Sequence, residues 1–148
     1  MKDFIFLLHA GATLFLVGLI WTIQIVHYPL FAMVGAGDYA AYQTSHMSRI
    51  TYVVAPVMFL ELGAATYFIF ADYELINPNY FRFGLALVLI IWASTVFVQS
   101  PIHGKLANAF DADSVNKLLL TNWIRTISWT LRGALVLWMI WLKIKWGK

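Results

Sequence analysis

Apolar residues recur in four long runs, broken by short stretches rich in Gly, Pro, Asn and Asp. The runs cover about 4–26, 50–71, 83–98 and 123–142. At about 1.5 Å of rise per residue, roughly 20 apolar positions cross the ~30 Å hydrocarbon layer of a bilayer. The third run is short for that purpose, and the fourth carries Arg125 and Arg132. The pattern predicts an all-α, integral-membrane four-helix bundle occupying 1–148 as a single domain. The segments GAGDYAAYQTSH, DYELINPNY and HGKLANAFDADSVNK read as the connecting loops. The opening MKDFIFLLHAG reads as an uncleaved first helix, because its apolar stretch outruns a signal peptide and no small-residue cleavage site follows it cleanly.

Composition strengthens this reading. The chain is 61% hydrophobic and 11% charged, with a mean hydropathy of +0.75, whereas soluble domains run near half apolar and a quarter charged. A soluble helical bundle is the disfavoured alternative. No cysteine is present, which excludes a disulfide framework and thiolate metal sites. The net charge of +3 is modest, and Lys143, Lys145 and Lys148 suit a juxtamembrane anchor, not a nucleic-acid surface. Four crossings place both termini on one side, together with Lys2 and Arg82, against Lys105 and Lys117 opposite. The positive-inside rule then expects cytoplasmic termini, as in a bacterial inner-membrane protein.

The two halves resemble each other. Each holds an apolar helix closing near Gln and Pro, a loop with Asp, and a helix opening on polar-x-x-Arg, His46 to Arg49 and Asn122 to Arg125. Pro29 and Pro101 lie 72 positions apart, Arg49 and Arg125 76. This predicts two tandem helical hairpins in parallel repeat. Chance similarity between two amphipathic hairpins is the alternative, and Pro29 and Pro101 also read as plain helix exits.

That topology puts Gln24, His27, His46, Arg49, Gln99, His103, Asn122 and Arg125 at one membrane level, with His9 near the opposite face. Gln24 and His27 share a helix face, as do His46 and Arg49 with Tyr42 a turn back. Asn122, Arg125, Trp129 and Arg132 form a stripe, with Arg132 about 10 Å deeper than Arg125. A charge near the bilayer centre costs about 2.5–3.5 kcal/mol, so Arg132 needs a partner. Glu61, the one carboxylate in mid-run, is that partner, holding the second helix to the fourth. His, Tyr, Trp and Arg at an interface also serve as headgroup anchors, and Trp138, Trp141 and Trp146 read that way. Recurrence of polar groups on inward faces of all four helices favours an enclosed pocket over anchoring.

Three histidines suit a haem or a His-bound transition metal, but no His-x-x-x-His or Glu-x-x-His spacing supports either. A site without a cofactor fits the residue types better. There His103 and His46 are the candidate bases, and Arg125 stabilises a developing oxyanion. Gln24, His27, Arg49, Gln99, Asn122, Trp123, Arg132 and Glu61 are the candidate ligand contacts. Such a site suits a hydrophobic phenol, enol or quinone entering from the membrane.

The stretch FVQSPIHGKLANAFDADSVNKLLLTNWIRTISWTLR also resembles the closing part of a group of small four-helix membrane proteins that includes anthrone oxygenases. Members end their third helix on Pro-x-Asn-x-x-Leu and open the fourth with Trp and a downstream Arg. Here Pro101-Ile102-His103-Gly104-Lys105-Leu106, Trp123 and Arg132 stand in those places. His103 replaces the asparagine, and the likeness covers the last third of the chain. The resemblance implies the four-helix fold and suggests oxygenation of an electron-rich aromatic without a known cofactor. The expected function is therefore a membrane oxidoreductase or oxygenase for a hydrophobic aromatic or quinone-like molecule. A non-catalytic carrier of an anionic lipid or hydrophobic ligand is one alternative. Another is a structural subunit, packing Gly11, Gly18, Gly63 and Gly84 against a partner or a second copy of the chain.

Overall fold

The computed structural model describes every residue except Asp72, Glu74, Leu75 and Lys148. Part of the expected DYELINPNY loop and one lysine of the C-terminal anchor thus lie outside the described residues. Four helices, each long and apolar enough to cross a membrane, make up the fold: α1 (Lys2–Met33), α2 (Tyr39–Phe70), α3 (Pro78–Leu106) and α4 (Ala112–Trp146). Each packs against its neighbours in sequence, and α4 closes the ring onto α1. Polar and apolar positions are distributed as a bilayer demands. His9, Gln24, Gln43, Glu61, Gln99, Asn122, Arg125 and Arg132 are buried, while Phe4, Phe15, Ile25, Tyr52, Phe97 and Leu120 face outward.

The helices outrun the apolar runs that predict them. Hydropathy reports the hydrocarbon layer, whereas each helix continues for two or three turns beyond it. The expected loops shrink accordingly to 34–38 and 107–111, and Tyr39 to His46 is helical, as is Pro101 to Leu106. Neither Pro29 nor Pro101 ends its helix. Each follows a π-helical turn, Ile23–His27 or Thr95–Gln99. Proline lacks an N–H and its ring collides with the carbonyl four residues back. One wide turn displaces that carbonyl and lets the helix proceed. The two π turns begin 72 positions apart, the same offset as the prolines. That is the backbone signature expected of a repeated hairpin.

Aromatic packing fills the end of the bundle that carries the termini, where Phe68 stacks on Phe81 at 4.8 Å and Phe6 on Tyr73 at 5.4 Å between ring centroids. Gly11, Gly18 and Gly63 have open space beside them, but Gly84 does not. A methyl on Gly84 would stand 3.2 Å from the Arg132 guanidinium. Gly84 therefore belongs to the interior, contrary to the expectation that it packs against a partner.

At the opposite end, Asp111 precedes α4 and binds both Lys105 of α3 and the Ser114 hydroxyl. These two donors hold its carboxyl down to about 2. A carboxylate depressed on folding adds stability above its unfolded value of about 3.9, and that stability is lost as pH falls through the folded value. Acid is therefore expected to loosen the α3–α4 connection between about pH 4 and about pH 2. Amide exchange over the first turn of α4 checks this, and Asp111→Asn should abolish the pH dependence.

Candidate functional site

The irregular turns decide where the polar groups go. A π turn rotates the residues that follow it relative to those before, so His27 and Tyr28 turn inward at the end of α1, and Gln99 and His103 on α3. Opposite them, Gln43 and His46 lie three apart on one face of α2. Arg125 comes from α4. Tyr28, His46, Gln99, His103 and Arg125 meet in a cavity of about 310 Å³, with Gln43 behind His103. They supply its polar wall, and Ile23, Ile50, Val54, Met58, Phe59 and Trp92 much of the apolar one. Thr51, Phe59 and Val96 line the cavity and are also exposed on the outer surface. The cavity therefore opens sideways, between α2 and α3, where lipid would be.

Hydrogen bonding sets the state of His103. The Gln43 amide nitrogen lies 2.6 Å from its Nδ1 and the Tyr28 hydroxyl 2.9 Å from its Nε2. If Nδ1 accepts from the amide, a neutral imidazole carries its proton on Nε2 and donates it to Tyr28. The Tyr28 hydroxyl then keeps its own proton for a third partner. On the other side of the cavity, His27 Nε2 and His46 Nδ1 are 2.9 Å apart, and the His46 and His103 rings lie 5.5 Å apart.

Arg125 is 6% exposed. It has no carboxylate partner among the described residues, and its Nε has no acceptor. Its neighbours are the Tyr28 phenol and the Trp129 ring, whose centroid is 5.3 Å away. Trp92 likewise lines the cavity with an indole N–H that no protein group accepts.

The other candidates separate into three groups. His27 and Arg49 border a second, open cleft of about 350 Å³ with Tyr42 and Ser45, and His46 lines both spaces. Gln24 and Asn122 lie outside the cavity and bind each other, Asn122 Nδ2 donating to Gln24 Oε1 at 2.8 Å. Gln24 Nε2 in turn reaches the Leu119 carbonyl at 3.2 Å, so this pair clamps α1 to α4. Trp123 points outward and packs edge-on against Trp21. None of these three residues, expected as ligand contacts, lines the cavity.

Glu61 and Arg132 do pair, Arg132 Nε donating to Glu61 Oε1 at 2.8 Å with both side chains buried. Thr13 and Trp129 donate to the same carboxylate at 2.9 and 3.1 Å. Arg132 also reaches the Gly84 carbonyl and His9. This network lies deeper in the bundle than the cavity, and neither residue lines the cavity wall.

Tyr28, Gln43 and Trp129 are the participants that spacing arguments left without a role. Tyr28 stands between His27 and Pro29. Gln43 falls in the stretch that reads as a loop, which hides its i, i+3 relation to His46.

No three His, Asp or Glu side chains converge on a metal-binding point among the described residues. The His27 and His46 nitrogens contact each other directly, which leaves no room for an ion between them, and both nitrogens of His103 are engaged. Among the described residues no two free histidine nitrogens face each other across a space that would hold a haem or a metal between them. No family model matches the chain, and no curated protein or solved structure does either. The functional reading therefore rests on geometry.

Proposed function

We propose that the lateral cavity takes an apolar aromatic molecule bearing an acceptor oxygen, a phenol, enol or quinone, and that the protein is a membrane oxidoreductase or oxygenase acting on it. The observation that carries this reading is Arg125, a buried guanidinium without a carboxylate in a cavity of mostly apolar wall. Burying an unpaired charge is costly. An occupant with an oxygen acceptor satisfies it, and Trp92 adds a second donor with no acceptor of its own. The apolar wall and sideways opening favour a substrate that partitions into lipid.

Chemistry follows from the donors and bases around that oxygen. Arg125 and the Tyr28 hydroxyl stabilise negative charge on it, and His46 accepts a proton from it. An oxygen-centred anion of this kind is electron-rich, which is the state in which anthrone-like molecules react with dioxygen as co-substrate. That route accords with the resemblance carried by Pro101, Leu106, Trp123 and Arg132, and needs no resident cofactor. The basic residues Lys2, Arg82, Lys143 and Lys145 at the terminal end favour cytoplasmic termini. The cavity and the open cleft then lie toward the extracytoplasmic face of a bacterial inner membrane.

Purification in lipid nanodiscs, followed by mass spectrometry of bound small molecules, tests the reading. A copurifying aromatic or quinone is the expected result; a phospholipid alone would instead favour a carrier of anionic lipid. With anthrone as the probe substrate, Tyr28→Phe is expected to lower turnover by about a hundredfold, a usual size for loss of one oxyanion donor. Its affinity should change little, because Arg125 remains.

A further inference from the structure

His46 borders two spaces, the lateral cavity and the open cleft that it shares with His27 and Arg49. It is 9% exposed. Its Nδ1 faces His27 Nε2 at 2.9 Å, and among the described residues no protein group binds its Nε2. His27 is half-buried, with its Nδ1 likewise unengaged. Two imidazoles are thus joined nitrogen to nitrogen, with the outer nitrogen of each free on opposite sides of the contact.

We propose that His27 and His46 form a proton relay between the membrane-facing cavity and the open cleft. An imidazole accepts a proton at one nitrogen and releases one from the other, so a linked pair moves a proton without either ring leaving its place. In the outward direction the ligand O–H bond breaks and His46 Nε2–H forms. The His46 Nδ1 proton passes to His27 Nε2, and the His27 Nδ1 proton leaves to water in the cleft. The ligand oxygen keeps the electron pair and is held by Arg125. No oxidant is needed for this step.

The surroundings favour transit over storage. Tyr28 comes from α1, His103 from α3 and Arg125 from α4, while Tyr42 and Arg49 of α2 border the cleft. No carboxylate is among them to trap a proton as a fixed ion pair. The apolar wall of the cavity denies water direct access to a bound ligand from the lipid side, which makes the relay the polar way out.

This inference rests on the reading that the cavity takes a proton-bearing ligand, so its test has one arm that uses no ligand. In nanodiscs with isotope-labelled histidine, nuclear magnetic resonance is expected to show scalar coupling between His27 Nε2 and His46 Nδ1 across their hydrogen bond. His27→Gln preserves an acceptor for the His46 Nδ1 proton but has no second ring nitrogen. It should slow exchange of the His46 proton with water by about a hundredfold, with the His103 signals unchanged. Absence of the coupling, or unchanged exchange in His27→Gln, overturns the relay. The second arm uses a naphthol, which becomes a strong acid when excited by light. Bound to the native protein it should emit as naphtholate, and in His46→Gln as neutral naphthol. Naphtholate emission that survives in His46→Gln overturns the role of His46. A naphthol that does not bind overturns the ligand reading, while the exchange measurement still decides the relay.

Discussion

Replacing Glu61 by glutamine is expected to destabilise the protein by about 3–5 kcal/mol, the usual cost of removing one partner from a buried ion pair. The carboxylate accepts from Arg132, Thr13 and Trp129, which belong to α4, α1 and α4 respectively. One group on α2 thereby holds two other helices. Arg132 extends the link to α3 through the Gly84 carbonyl. Glutamine is nearly the same shape, so packing survives and the loss is electrostatic. It leaves Arg132, 1% exposed, facing a neutral amide whose nitrogen opposes other donors. Arg132→Met alone should cost a similar amount, because Glu61 is then the unpaired ion. The double variant Glu61→Gln/Arg132→Met should recover much of the loss, since two charges removed together leave neither stranded. Denaturation in detergent, followed by tryptophan fluorescence, measures the cycle. Additive losses in the double variant would show that the two residues act independently.

This pairing was legible in the sequence because the choices were few. Arg132 lay too deep for water to reach, and Glu61 was the one carboxylate available at mid-run. Elimination succeeded where no geometry was known. The bundle itself was legible for the same kind of reason, since four apolar runs leave few ways to satisfy backbone groups in lipid. The meeting of His46, His103 and Arg125 followed from topology alone, because the helix ends that carry them lie at one level.

What escaped sequence reading was backbone detail near the prolines. A proline after an apolar run ordinarily marks an exit, and nothing in the side chains announces a π turn that absorbs it. The low hydropathy of Tyr39 to His46 likewise hides that this stretch is helical, and with it the relation of Gln43 to His46. Hydrogen-bond competition was equally hidden. Gln24 and Asn122 looked as available as Gln99, yet they neutralise each other across α1 and α4. Gln99 is also engaged, with Ser94 and Thr121, but it remains on the cavity wall. Residue type predicts capacity for a hydrogen bond, and only the fold decides who receives it.

Arg125→Met is expected to act on stability with the opposite sign to Arg132→Met, though both remove a buried guanidinium from the same helix. The two arginines lie seven positions apart on α4, one with its carboxylate and one without. Methionine at 125 removes an uncompensated charge and replaces it with a flexible apolar chain of similar reach. The cation–π contact with Trp129 is lost, at about 0.5–2 kcal/mol, which offsets part of the gain. A net stabilisation of about 1 kcal/mol in the ligand-free protein remains, small beside the gains of 1–4 kcal/mol seen when buried charges give way to apolar groups. Ligand binding should move the other way. A hydrogen bond to a charged group contributes about 1.5–3 kcal/mol, so affinity for a phenol or quinone falls by roughly tenfold to more than a hundredfold. Thermal unfolding without ligand and equilibrium binding of a naphthol, measured on the same preparations, separate the two effects. A site kept for ligand shows this reciprocity, because the charge that strains the empty protein is the one its occupant satisfies. A variant that loses stability and affinity together would make Arg125 a structural residue, and the cavity would lose its claim to a substrate.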